Sequence, residues 1–175
     1  MAVGGGVGLL PTDTRPTAFA EEPPALALEG STTLASGTID PTSLASHTGS
    51  GRRVVFDQSA QRVWLVGASG TVLRTYLVSG SLTDNLRPGR YAVFSRSRWA
   101  VGVDDSGVMQ YFVRFAHGAK AAIGFHTIPT KNGKRLQTRA QLGTPQSHGC
   151  IRQAMPDALA MWDFARVGTR VVVVA

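Results

Sequence analysis

From Arg52 onward, apolar positions alternate with polar ones or gather in short β-branched runs separated by turn residues. Three such runs follow in succession: Arg53–Val54–Val55–Phe56–Asp57, Gln61–Arg62–Val63–Trp64–Leu65–Val66 and Thr71–Val72–Leu73–Arg74–Thr75–Tyr76–Leu77–Val78, the last two broken by Gly67–Ala68–Ser69–Gly70. This spacing predicts a hairpin. Further strands are predicted at residues 90–94, 110–115, 121–126 and 170–174, punctuated by Pro88–Gly89 and Asp104–Asp105–Ser106–Gly107. One helix is predicted to start at Pro156, a favourable first-turn residue, with Asp157 beside it to complement the helix dipole. Met155, Ala158, Leu159, Trp162 and Ala165 recur at helical spacing before Gly168 stops the pattern. The fold class is mostly β with one packed helix.

Residues 1–51 lack this texture. They hold five acids (Asp13, Glu21, Glu22, Glu29, Asp40) against Arg15, a net of −4, whereas the remaining 17 bases and 6 acids give residues 52–175 a net of +11. Of the 13 aromatic residues only Phe19 precedes Arg52, so the N-terminal part cannot bury enough apolar surface to order itself. Its second half, from Gly30 to Gly51, has the Ser/Thr/Gly composition of a linker. Residues 1–51 are therefore read as a leader and flexible linker, and 52–175 as the folded unit. The apolar start, Met1 to Leu10, and the small-x-small triplet Ala18–Phe19–Ala20 fit a secretory leader, with a plain N-terminal tail as the alternative. No run of 18 apolar residues is present to span a membrane as a helix.

Chemistry concentrates in Ser147–His148–Gly149–Cys150–Ile151–Arg152. Cys150 is the single cysteine, so it has no disulfide partner in the chain and belongs to no multi-cysteine zinc site; no metal or other cofactor is expected. A cysteine attacks as the thiolate and needs a base or a cation beside it at neutral pH. His148, two residues before it, points to the opposite face of an extended segment, whereas His126 lies on a separate predicted strand and is free to approach. Gly149 allows a sharp turn, and the Cys150 N–H can then address an oxyanion. The plain alternatives are a buried inert thiol for Cys150, a core histidine for His126 and a solvated guanidinium for Arg152.

The hexapeptide, a Gly124–Phe125–His126 strand end upstream and the helix downstream resemble the L,D-transpeptidase catalytic domain, the YkuD-type family of peptidoglycan enzymes. Arg87–Pro88–Gly89–Arg90–Tyr91 and the closing Val167–Gly168–Thr169–Arg170–Val171–Val172 share in the resemblance, which spans roughly residues 52–175. It implies a β-sandwich of mixed sheets with one or two short helices. It also implies Cys150 as the acylated nucleophile, His126 as its base, and His148 and Gly149 as shapers of the catalytic site. Ser147, Arg152, Thr127 and Tyr111 are then substrate-side residues, with strand packing the alternative for Tyr111. Two departures stand out. Twenty residues separate His126 from Ser147, a longer gap than usual, with Lys131–Asn132–Gly133–Lys134–Arg135 expected as a loop tip on a substrate-side lid; and Thr127 follows the base where Ser or Gly is more usual.

The resemblance implies a ping-pong acyl transfer between peptidoglycan stem peptides that forms 3→3 cross-links, with a role in wall organisation and cell shape. Water as acceptor would make an L,D-carboxypeptidase, and a protein lysine a lipoprotein-anchoring enzyme. A degenerate module that only binds peptidoglycan is the alternative of another class. Carbapenem β-lactams are expected as acylating mimics, and the protein is expected to be exported to the periplasm or cell wall. The +7 overall charge suits anionic wall polymers. Nucleic acid is not expected, because the basic residues are scattered and no stacking-aromatic motif accompanies them. A sortase-like enzyme is disfavoured because Arg152 follows Cys150 too closely, and a papain-like one because Cys would precede His.

Overall fold

Val54, Val55 and Phe56 are all fully buried, so both faces of the strand that carries them are covered. A computed structural model describes residues 42–103 and 106–175, all within the unit Thr38–Ala175. The readings of residues 1–41 as leader and linker lie outside the described residues.

The first sheet is centred on β1 (Arg53–Asp57), which pairs antiparallel with β2 (Arg62–Val66) and parallel with β11 (Arg170–Val174). β3 (Val72–Leu77) and β4 (Gly89–Ala92) extend it, giving the order β3-β2-β1-β11-β4. The second sheet is built on β6 (Val108–His117), flanked by β5 (Ser95–Val101) and β7 (Ala122–Thr127). β10 (Ile151–Gln153) joins β7 in parallel, and the short hairpin β8 (Thr130–Lys131) and β9 (Lys134–Arg135) joins β6. Both sheets are mixed, as the resemblance implied.

One apolar core takes side chains from both sheets: Val54, Phe56 and Val63 from the first, Val113, Phe115, Phe125 and Ile151 from the second. α1 (Met155–Phe164) seals it with Ala158, Met161 and Phe164. The buried stripe of the helix is thus rotated from the expected one. Met155 and Leu159 are exposed, and Trp162 is half-buried under the guanidinium of Arg96, 3.8 Å from its ring.

The outer face of the first sheet explains its non-alternating Val runs. Val55, Trp64, Val66 and Val172 form a second apolar cluster, against which Leu44 packs. Trp64 Nε1 donates to the Thr42 carbonyl at 2.8 Å, and Arg53 Nη2 donates to the buried Thr48 hydroxyl at 3.1 Å. Leu44, Thr42 and Thr48, within the segment assigned to the linker by composition, therefore meet the first sheet. The segment Lys131–Arg135 is a tight hairpin with Asn132 and Gly133 at positive φ (51° and 75°), the Asn-Gly turn signature.

Candidate active site

Strand register sets out the site as an array on one face of the second sheet. Arg152 of β10 pairs with His126 of β7, and two residues earlier Cys150 lies beside Gly124, whose backbone hydrogen-bonds the thiol. Across β7, Gly124 pairs with Arg114 of β6, and Arg114 and Phe112 pair with Ser95 and Ser97 of β5. Side chains aligned across a sheet, and those two apart along a strand, share a face. Cys150, Arg152, His126, Phe112 and Arg114 accordingly line one cavity of about 720 Å³. The intervening residues, Ile151, Phe125 and Val113, point into the core.

Gly124 is required at the centre of this array. A Cβ there would lie 2.2 Å from the Val113 carbonyl oxygen and 2.8 Å from the Phe112 ring. Its absence lets β6 and β7 approach and keeps the space between Cys150 and Arg114 free of a β7 side chain.

His126 is buried, and its Nδ1–H donates to the Thr127 carbonyl at 2.6 Å. A carbonyl only accepts, so Nε2 is the unprotonated nitrogen of the neutral ring and the one available as a base. Phe112 holds the ring edge-to-face at 5.2 Å. Burial pushes the His126 pKa down to about 4; the Thr127 carbonyl opposes the change, and the charges of Arg152 and Arg114 add to it. Burial also pushes the Cys150 thiol up, against the Gly124 backbone and the two arginines, which pull it down. Burial thus favours the neutral form of both the thiol and the imidazole. The thiol donates to the Ala122 carbonyl at 3.6 Å.

The turn that presents Cys150 is fastened from within and from without. Ser147 Oγ donates to the Cys150 carbonyl at 2.5 Å and accepts from the Gly149 N–H at 3.1 Å. Its own backbone is clamped by Gly80 and Leu82, while Ser79 exchanges two hydrogen bonds with Arg152. Asn85 Nδ2 donates to the His148 carbonyl at 2.6 Å, and a Cβ on Gly149 would sit 3.2 Å from that nitrogen.

The residues expected from sequence thus separate by position. Cys150, His126, His148, Gly149, Ser147 and Arg152 all line the cavity, but the Ser147 hydroxyl is committed to the turn. Thr127 lies behind His126: its carbonyl orients the ring, and its Oγ1 accepts from the Gln110 N–H at 2.9 Å. Tyr111 is placed elsewhere than over the cleft. A positive φ of 54° at an irregularity in β6 turns it onto Trp162, with Arg98 over its ring at 5.0 Å. The hairpin at Lys131–Arg135 contributes no residue to the large cavity. Sequence reasoning passed over Asn85, Phe112 and Arg114. Arg114 alone carried a signal, a charge inside the apolar run Tyr111–Phe112–Val113–Arg114–Phe115. Among the described residues no group of three or more His, Cys, Asp or Glu side chains is placed to hold a metal ion, and no helix is long and apolar enough to cross a membrane.

Residues 51–173 match the YkuD family, the L,D-transpeptidase catalytic domain. A Bacillus subtilis (strain 168) protein named "Putative L,D-transpeptidase YciB" is 29% identical over 119 residues, covering 65% of this chain and 60% of that protein. The solved L,D-transpeptidase from Mycobacterium smegmatis superposes with a TM-score of 0.59 at 19% identity, over 73% of this chain and 60% of that one. L,D-transpeptidase 3 from Mycobacterium tuberculosis, solved in complex with a faropenem-derived adduct, gives 0.55 at 20% identity over 73% and 61%. The chain spans about 60% of the length of these relatives. The solved structures show a likeness of fold; the sequence match extends over nearly the whole described unit and takes in His126 and Cys150, so this chain belongs to the L,D-transpeptidase family of enzymes.

Proposed function

We propose that the protein is a cysteine L,D-transpeptidase that forms 3→3 peptidoglycan cross-links through a thioester on Cys150. The observation that carries this reading is that the single cysteine lines the same cavity as a buried histidine whose Nδ1 is held by the Thr127 carbonyl. With Nε2 left bare, His126 takes the thiol proton as sulfur attacks the carbonyl of the L-to-D bond at the third stem residue. The developing oxyanion faces the Cys150 N–H at the turn stiffened by Ser147. Collapse breaks the C–N bond, His126 returns the proton to the departing D-Ala amine, and the acyl group stays on sulfur. The side-chain amine of a second stem then attacks the thioester, gives its proton to His126 and releases the thiol.

Neutral resting groups suit this sequence. The proton moves only as the carbonyl is attacked, so the thiol is protected from adventitious oxidation between turnovers. The cavity adjoining Cys150 has room for a peptide and carries basic side chains, in keeping with acidic stems and with export to an anionic wall. A carbapenem would acylate the same sulfur.

Incubation with a stem tetrapeptide, followed by mass spectrometry of the intact protein and of the products, tests the reading. An adduct on Cys150 of the tetrapeptide less D-Ala, followed by a cross-linked dimer, is the expected result. Tripeptide acid without dimer makes the enzyme a carboxypeptidase, and transfer to a lysine-bearing protein makes it an anchoring enzyme. Binding without any adduct reduces it to a peptidoglycan-binding module.

A further inference from the structure

We propose that Arg114 is a carboxylate receptor within the active-site cavity, and that it selects donor stems whose third residue ends in a side-chain carboxylate beside the amine. This rests on the transpeptidase reading above and names the substrate that the reading leaves open.

The described residues lining the cavity include Arg114, Lys120 and Arg152, and no Asp or Glu. Arg152 lies on β10, two residues after Cys150, and its Nη1 meets Gln137 Oε1 at 3.5 Å. Arg114 is held differently. Its guanidinium carbon lies over the Phe112 ring, 4.1 Å from its centre, and Nη1 donates to Ser97 Oγ at 2.8 Å and Ser95 Oγ at 3.5 Å.

Two other arginines in this fold show what a structural stacked arginine looks like. Arg52 lies over Phe164 and donates to the Phe164 carbonyl at 2.8 Å; Arg96 lies over Trp162 and donates to the Trp162 carbonyl. Each closes its stack on a backbone acceptor of the same residue. Arg114 does not. It meets two neutral hydroxyls through one nitrogen, and among the described residues Nε and Nη2 have no protein acceptor and no acid pairs with it. A planar cation pre-set on an aromatic face, with a bidentate edge left for an anion, is the form that carboxylate recognition takes.

Position selects the carboxylate. Arg114 and Cys150 are separated by β7, two strand spacings or roughly 10 Å of backbone, with side-chain-free Gly124 between them. The carboxylate of the leaving residue stays within about 4 Å of the scissile carbon, whereas one at the end of the third residue's side chain extends to about 7 Å. The second matches a receptor set across a strand from the thiol.

The test uses three synthetic tetrapeptides that differ only at the end of the third side chain: amine with carboxylate, the same group as its primary amide, and amine alone. Affinity is measured by calorimetry on Cys150→Ala and on Cys150→Ala with Arg114→Gln, and turnover on the enzyme with native Cys150, with and without Arg114→Gln or Arg114→Lys. The carboxylate peptide is expected to bind and react roughly 10- to 100-fold better than the other two. Arg114→Gln should erase that preference and Arg114→Lys restore part of it, in proteins whose unfolding midpoints show them folded. An equal loss on all three peptides, or no preference in the unmutated site, overturns the proposal; equal loss would make Arg114 a tuner of the thiol. Preference in binding with no turnover of any peptide would overturn the transpeptidase reading and leave this one standing.

Discussion

Asn85 reaches 63 residues along the chain to hold the turn that presents Cys150, donating from Nδ2 to the His148 carbonyl at 2.6 Å. The same nitrogen is the atom a side chain at position 149 would strike. Asn85 therefore acts on the thiol's position without touching the reacting atoms. Asn85→Ala removes one exposed hydrogen bond and should cost less than about 1 kcal/mol of stability. Acylation, which depends on alignment, should slow by roughly 10-fold or more. Steady-state kinetics are expected to show a lower kcat with KM little changed. A change confined to KM would make Asn85 a substrate contact instead.

The proposed role of His126 as base predicts a distinctive pH dependence. Because His126 is held neutral down to about pH 4, the acylation rate should be flat through the range in which an ordinary histidine titrates and should fall only as pH approaches 4. His126→Gln should slow acylation by roughly 10²–10⁴-fold and abolish that acid limb. Stopped-flow acylation by a β-lactam provides the measurement, and an acid limb near 6.5 in the unmutated enzyme would exclude His126 as the group observed.

The same burial makes stability depend on pH. A histidine at about 4 in the folded protein and 6.5 unfolded binds its proton more readily when unfolded. Its contribution is complete above pH 6.5 and is lost as pH falls toward 4. The displacement corresponds to about 3 kcal/mol. Denaturant midpoints are expected to fall across that interval, and His126→Gln should flatten this part of the profile.

What could be read from the chain follows from where the information lies. β1, β2 and β11 carry β-branched runs, and β3 and β7 carry apolar stretches beside turn residues, so pattern and punctuation sufficed. β5 escaped because Ser95–Val101 is a half-exposed edge strand with arginines and serines at alternate positions, and β10 because three residues cannot display a period. The Ser147–Arg152 string was legible because its chemistry is local. Asn85 and Arg114 were not, since each acquires its role from register and from partners many residues away. Tyr111 shows the effect of an irregularity: one residue at positive φ in β6 sends a side chain expected over the cleft onto α1.

The N-terminal boundary gives the last prediction. Composition alone treats residues up to Gly51 as dispensable to the core, yet Leu44 packs on the Val55–Trp64–Val66–Val172 cluster, and Thr42 supplies the acceptor for a Trp64 N–H that is otherwise buried with its ring. Removing residues 1–41 should leave the unfolding midpoint nearly unchanged. Extending the deletion to residue 51 uncovers the apolar outer face of the first sheet and strands the indole N–H, a loss of about 2 kcal/mol. For a domain of this size that amounts to several degrees in Tm. The active-site array lies on the other sheet, so acylation of Cys150 at low temperature should survive the longer deletion even as the melting point falls. Equal melting points for the two truncations would place the start of the folding unit back at Arg52.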